Sequence, residues 1–307
     1  MKPEELQALA QETLQIVEAG EYTNFAGELI QFPKSRHPTD LYDERFNIEL
    51  EDGGLDPMIE VTEETTLDAL FRLFVSQHYS PYTLGCLNFG SAKNPGGGFL
   101  KGTMAQEESL AYSSDLYHHL KDTKGFYDYH RALLDQGLAP LYSSRIMVSH
   151  DVTFFRNSHF KLLYTPMVAK VITGAMPKTR DIMEALRDKG FQSTKAPCSC
   201  GETDKDPFAH QKTCEYLKVA VYAAALSDVE DEIRYRIKRM FEIAAFYSIE
   251  YLVLGAWGCG VFGNDPVFVA ETFKEMLQQY KSHFRHITFA ISHNSTNYNI
   301  FKTILDP

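Results

Sequence analysis

The sequence predicts an α/β fold: a central mixed, mostly parallel sheet with helices on both faces. Two observations carry this. Short apolar runs rich in β-branched residues recur at 82–89, 145–148, 167–172, 249–254 and 286–291, and helix-like stretches separate most of them. The runs are continuously apolar, as strands covered on both faces are, where a half-exposed strand would alternate.

Taken in order, residues 4–18 read as an amphipathic helix, and 20–60 as a loop-rich stretch marked by Pro33, Pro38, Gly53, Gly54 and Pro57. This divides the chain into an N-terminal helical extension, 1–60, packed on one α/β domain, 61–307. Leu67, Leu70, Phe71, Leu73 and Phe74 mark a helical face within 65–75. The run 82–89 ends in Gly90, as a buried strand would. The longest helical pattern, 230–247, places Ile233, Ile237, Met240, Phe241, Ala244 and Ala245 on one face. In such a sheet ligands bind beyond the carboxyl ends of the strands, at the loops that lead into helices.

Composition narrows the function. The 307 residues carry 30 Lys and Arg against 41 Asp and Glu, a formal charge of −11. Affinity for a phosphate backbone comes mainly from Lys and Arg, so a broad nucleic-acid-binding surface is not expected. With 44% hydrophobic residues, 21 Phe and 17 Tyr, a large core is expected rather than disorder. Met1-Lys-Pro-Glu-Glu5 lacks the apolar stretch of a signal peptide, and no segment approaches the ~18 apolar residues of a membrane span. A soluble intracellular protein is expected, cytoplasmic, or nuclear if eukaryotic. Cys198, Cys200 and Cys214 with His210 form a metal-like cluster, but C-x-C with one intervening His fits no standard zinc module. No metal and no cofactor are expected.

Two glycine loops follow strands. The first runs from Asn88 to Glu108 and contains Gly96, Gly97 and Gly98 in succession. Such a run costs backbone entropy, and it lets a ligand touch main chain where a Cβ would block it. Thr103 and Gln106 have capping-box spacing, so a helix is expected from Met104 through Leu110, Leu116, Tyr117 and Leu120. Glu107 and Glu108 then occupy its opening turns, where the helix dipole favours carboxylates. The second loop, 254–266, leads into a helix with Asn264 or Asp265 as N-cap and Pro266 at its first position. Strand, glycine loop and helix together present backbone N–H groups to a phosphate. Gly258, Gly260 and Gly263 have G-x-G-x-x-G spacing, but no acidic residue follows as the dinucleotide fingerprint requires, and no P-loop lysine is present. Main-chain donors beside a carboxyl pair suit glycosidic cleavage at a phosphorylated ribose, with Phe262 and Phe99 as candidates to shape the ribose site. His118 and His119, further along the helix, are expected to face solvent. His150 and Asp151 fit either the cleft or a turn, and residues 292–297 read as structural.

Asn94-Pro-Gly-Gly-Gly98, seven residues, then Gln106-Glu-Glu108 resembles the signature of poly(ADP-ribose) glycohydrolases. Residues 87–93, Gly255-Ala-Trp-Gly-Cys-Gly-Val-Phe-Gly-Asn264 and Asp151-Val-Thr-Phe-Phe-Arg156 are similar to the microbial-type branch. The resemblance spans about residues 36–305; Tyr112 stands where that branch is expected to carry Arg, and 198–214 lie outside its pattern. It implies a macrodomain-like three-layer α/β/α fold that binds ADP-ribose and the poly(ADP-ribose) of ADP-ribosylated proteins, with Glu108 as catalytic acid and Glu107 positioning the ribose. Asn88, Gly96, Gly97, Gly98, Phe99 and Gln106 would contact substrate from the first loop. Gly258, Cys259, Gly260, Val261, Phe262, Gly263 and Asn264 would do so from the second, holding the diphosphate. Because a chain of charge −11 repels a long polyanion, cleavage from polymer ends is expected over internal cleavage. The alternatives are a hydrolase of single ADP-ribose units on another acceptor, and a non-catalytic reader of ADP-ribose; the carboxyl pair argues against the reader, since carboxylates contribute nothing to binding an anion.

Overall fold

A computed structural model describes residues 1–32, 38–76, 83–136, 141–190, 215–291 and 295–306. Helix α1 (Pro3–Ala19) buries Leu6, Leu9, Ala10, Ile16 and Val17 and ends at Gly20, whose φ of 76° suits glycine. Strands β1 (Glu21–Thr23) and β2 (Leu29–Gln31) then pair with each other. The main body continues with β3 (Asp40–Tyr42), β4 (Met58–Thr62), α2 (Thr66–Ser76), β5 (Leu84–Phe89), α3 (Gln106–Ser113), α4 (Leu116–Lys121) and α5 (Tyr127–Asp135). It closes with β6 (Ile146–Arg156), β7 (Leu162–Gly174), α6 (Thr179–Asp188), α7 (Glu215–Phe246), β8 (Tyr251–Leu254), α8 (Pro266–Tyr280), β9 (His286–Ala290) and α9 (Ser295–Leu305).

One seven-stranded sheet runs in the order β3-β6-β7-β5-β8-β9-β4. The strands from β7 to β4 are parallel to their neighbours; β6 is antiparallel to both β7 and β3. Successive side chains point to opposite faces of a strand. Leu84 and Cys86 therefore pack with Leu67, Leu70, Leu110 and Leu116 on one side. Leu87 packs with Ile237, Phe241 and Phe273 on the other. This is the three-layer α/β/α arrangement expected. After β5 the chain leaves through α3 toward β6 and β7, whereas β8 connects through α8 to β9 on the opposite side. The carboxyl ends of β5 and β8 thus lie together at a switch point.

Several expectations need correction. A boundary at residue 60 falls inside β4, and the first sixty residues include β3 and most of β4, the two edges of the main sheet. These strands are short and half-buried, so they lack the apolar run that marks β5 or β9. Strand β6 continues past Val148 through Ser149, His150 and Asp151, a polar step at a register shift where Asp151 has φ 52°. The helix expected to run from Met104 to Leu120 is two helices. Ser114 breaks it, bridging to Phe154 while its hydroxyl donates to the Leu110 carbonyl (2.7 Å) and accepts from the Leu116 N–H (3.2 Å). His119 does not face solvent: its side chain is 4% exposed and lies 3.6 Å from Asp115. The cysteine cluster 198–214 lies outside the described residues, as do 292–294. Among the described residues no helix is long and apolar enough to cross a membrane.

The second-loop helix begins as its sequence dictates, with the Asp265 carboxylate accepting the Val267 N–H at 2.9 Å and Pro266 at the first position. Replacing Asp265 with Ala is expected to lower stability by about 1 kcal/mol in a denaturant titration.

Candidate active site

The two glutamates at the start of α3 both turn inward, Glu107 being 4% and Glu108 8% exposed. Glu108 Oε1 accepts the Gly98 N–H at 2.8 Å and the Thr103 hydroxyl at 2.9 Å. Its Oε2 accepts no bond among the described residues. Glu107 Oε2 accepts the Ser91 N–H at 2.7 Å, while its Oε1 is buried without a partner among the described residues. Burial, with the Glu108 charge adding to it, pushes the Glu107 carboxyl up to about 8. A carboxyl raised that far favours its protonated form at neutral pH.

The triple glycine is explained by these carboxylates. Gly96 and Gly97 have φ 65° and 60°, the left-handed region. A Cβ on Gly97 would lie 2.5 Å from Glu108 Oε1 and 3.0 Å from Glu107 Oε2. One on Gly98 would overlap the Thr103 hydroxyl. The loop is wrapped around the protein's own acids, so a Cβ would strike them before any ligand is considered.

The second loop leaves the same edge of the sheet. Leu84, Gly85 and Cys86 pair in register with Tyr251, Leu252 and Val253. The Gly90 N–H donates to the Gly174 carbonyl at 2.9 Å, and Gly174 backs onto Trp257. From Trp257 to Phe262, the N–H groups of Trp257 and Cys259 donate within the protein; those of Gly258, Gly260, Val261 and Phe262 donate to no acceptor among the described residues. Asn264 staples the loop from below: it is 2% exposed, and its Oδ1 accepts the Thr179 hydroxyl at 2.5 Å. The Phe262 carbonyl accepts the Arg180 N–H at 3.1 Å, tying the loop to α6. Burial pushes the Cys259 thiol up to about 12, which disfavours the thiolate.

Comparison with known proteins decides the family. Residues 10–157 match the family described as microbial-type PARG (poly(ADP-ribose) glycohydrolase), catalytic domain. The chain is 31% identical to the poly(ADP-ribose) glycohydrolase of Thermomonospora curvata, with a TM-score of 0.77 over 98% of this chain and 100% of that one. A structure of that enzyme bound to the inhibitor ADP-HPD gives 30% identity and a TM-score of 0.73, over 98% of this chain and 99% of that one. The Deinococcus radiodurans enzyme in complex with ADP-ribose gives 31% and 0.64, over 87% of this chain and 94% of that one. The chain belongs to the microbial-type poly(ADP-ribose) glycohydrolases. It is a hydrolase of the glycosidase class, acting on poly(ADP-ribose). No curated protein sequence matches it.

Within this glycohydrolase, three residues expected at the substrate do other work. Phe99 is fully buried, with its ring 5.0 Å from Tyr112 and 5.3 Å from Tyr117, so it is core beneath the loop. Gln106 spends its amide inside the protein. Its Oε1 accepts the Phe89 N–H (2.9 Å) and its Nε2 donates to the Leu87 carbonyl (2.8 Å), splicing α3 to the end of β5. The Thr103–Gln106 capping box therefore does not form. Asn88 is also fully buried and donates to Thr173 at 3.2 Å, lying below the carboxyl pair. Sequence reasoning missed Thr103 as the Glu108 partner, and it missed Tyr112. The buried Tyr112 hydroxyl lies 3.0 Å from the Phe99 carbonyl and 2.9 Å from that of Thr103, bracing the segment that carries the Thr103 hydroxyl. Helix α1 supports the same segment from behind, with Gln7 donating to the Lys101 carbonyl and Thr13 to that of Tyr112.

Glu107 keeps its proton up to about pH 8 when folded, whereas an ordinary carboxyl releases it near 4.5. The folded state binds the extra proton between those values, so the contribution of Glu107 to stability is greatest below about 4.5 and falls as pH rises toward about 8. Thermal unfolding of Glu107→Gln across this window is expected to show a flatter pH dependence than the wild type.

Proposed function

We propose that this glycohydrolase releases ADP-ribose from the ends of poly(ADP-ribose), with Glu108 as the general acid at the ribose–ribose oxygen. The observation that carries the reading is the carboxyl pair at Gly97, in which one Glu108 oxygen has no partner among the described residues. That oxygen is the one available to a leaving group. Glu107, seated deeper, orients the ribose and stores the shared proton. The four undonated N–H groups of the second loop suit the two phosphates of an ADP-ribose unit, because main-chain donors add no charge that must be desolvated. Phe262, half-buried beside Tyr142 at 6.5 Å, is the ring placed to orient the ribose. Relatives support the ligand: the Deinococcus radiodurans enzyme is found with ADP-ribose, and that of Thermomonospora curvata with ADP-HPD.

The proton must sit on Glu108 when the bond breaks. Substrate excludes water from Glu108 and brings a diphosphate nearby, and both effects raise its affinity for a proton. The pair then presents its proton on the second Glu108 oxygen. As the glycosidic bond lengthens, the ribose becomes oxocarbenium-like and the leaving oxygen takes the proton; water then adds to the anomeric carbon and its proton returns to the carboxyl pair. Cleavage from ends suits a chain of charge −11, since a pocket gripping one unit meets less repulsion than a groove following many phosphates.

Replacing Glu108 with Gln is expected to lower ADP-ribose release from polymer by ~10²-fold or more, while a calorimetric titration still detects ADP-ribose; full activity would refute the role. The pH profile of kcat/KM is expected to fall on the alkaline side near pH 8, where the free pair loses its proton.

A further inference from the structure

Tyr142, just before β6, has a backbone φ of 60°, in the left-handed region, although it is not glycine. Residues with a Cβ rarely enter this region, and they stay there only where the surroundings leave no alternative. Here bonds on both sides of the residue impose it. The Leu141 carbonyl accepts from Arg236 Nη2 at 2.6 Å. The Ser143 N–H donates to His130 Nε2 at 3.1 Å.

Both anchors are built into the interior. His130 is fully buried, and its Nδ1 donates to the Phe126 carbonyl at 2.9 Å, which leaves Nε2 to accept from Ser143. Arg236 is 1% exposed, pairs with Glu232 at 2.9 Å and donates from Nη1 to the Ala175 carbonyl at 2.7 Å. Ala175 follows Gly174, where a Cβ would lie 3.0 Å from the Trp257 ring at the stem of the second loop. One guanidinium therefore ties the turn that carries Tyr142 to the strand end beneath that loop.

The strained backbone holds a ring in place. Half-buried Tyr142 stands edge-on to His130, with centroids 5.8 Å apart, and meets Phe262 of the second loop at 6.5 Å and 49°. Among the described residues it is the one aromatic ring against Phe262. Its hydroxyl has no hydrogen-bond partner among the described residues, so the turn presents the ring rather than the hydroxyl. Phe262 lies between the exposed Val261 and Gly263 at φ 73°, so its orientation is set by what packs against it from outside the loop.

We propose that Tyr142 is a positioning residue for the cleavage: its clamped ring sets the orientation of Phe262, and through it the seat of the ribose at the carboxyl pair. The inference rests on the ribose role of Phe262 given above and deepens it by naming what holds that ring. A ribose displaced by ~1 Å reacts slowly although the ligand still binds. Tyr142 therefore acts on the chemical step, while the main-chain N–H groups of the second loop keep the affinity.

The test is a double-mutant cycle on poly(ADP-ribose) with Tyr142→Gly, Phe262→Ala and the two combined. Glycine accepts left-handed backbone, so it removes the ring and relieves the turn. Tyr142→Asn also tolerates this region and serves where the glycine turn proves too loose. Trp257 is the single tryptophan, and its emission, with the melting temperature, reports whether the loop stem stays packed. Tyr142→Gly is expected to lower kcat by about tenfold, with KM and the calorimetric Kd for ADP-ribose within about twofold. In the Phe262→Ala background the same change should cost less than about twofold further, because the ring it acts through is gone. Tyr142→Phe should restore kcat. Losses that multiply in the double variant would overturn the inference, as would wild-type kcat in both ring-deleting variants or a Tyr142→Phe enzyme as slow as either. A shifted Trp257 emission in both would show that the residue only supports the loop, and would overturn it too. Wild-type kinetics for Phe262→Ala alone would instead sink the ribose role beneath it.

Discussion

The Glu108 carboxylate is held by a backbone N–H from Gly98 and by the Thr103 hydroxyl, and much of the molecule is arranged to keep those donors in place. Both donors lie on one short loop that must fold back over the start of α3. That path forces left-handed backbone at Gly96 and Gly97, and it leaves no room for a Cβ at Gly97 or Gly98. Tyr112 braces the loop from inside by standing between the carbonyls of Phe99 and Thr103. Helix α1 closes its back, which gives the first nineteen residues a part in the geometry of the acids.

Burying two adjacent carboxyls is unfavourable, and the protein tolerates it by keeping one of them neutral. Glu107 is shut away from water, and that burial disfavours its charged form. Glu108 has two donors on one oxygen. A pair split in this way is the arrangement on which the proposed acid role of Glu108 rests. The second loop leaves four main-chain N–H groups without an acceptor among the described residues, with Asn264 and Arg180 fixing its shape.

The parallel strands and most helices were legible in the sequence because burial on both faces leaves continuous apolar runs. Edge strands β3 and β4 were not, since a half-buried strand of few residues carries no such signal. The break at Ser114 also escaped notice. Apolar periodicity runs straight across it, and the serine's bonds to the chain before and after it, with its bridge to Phe154, exist only once β6 is in place.

By itself the sequence determined which chemistry was present: two acids after a triple glycine, a second glycine loop after a strand, and an Asp-Pro helix start. These are local patterns whose spacing is fixed along the chain. Tertiary structure decided how each residue is used. Gln106 and Phe99 became supports, Thr103 became a partner of Glu108, and Glu107 became the buried member of the pair. Each outcome depends on what lies opposite the side chain in space, and strand order and loop path set that, while sequence distance does not.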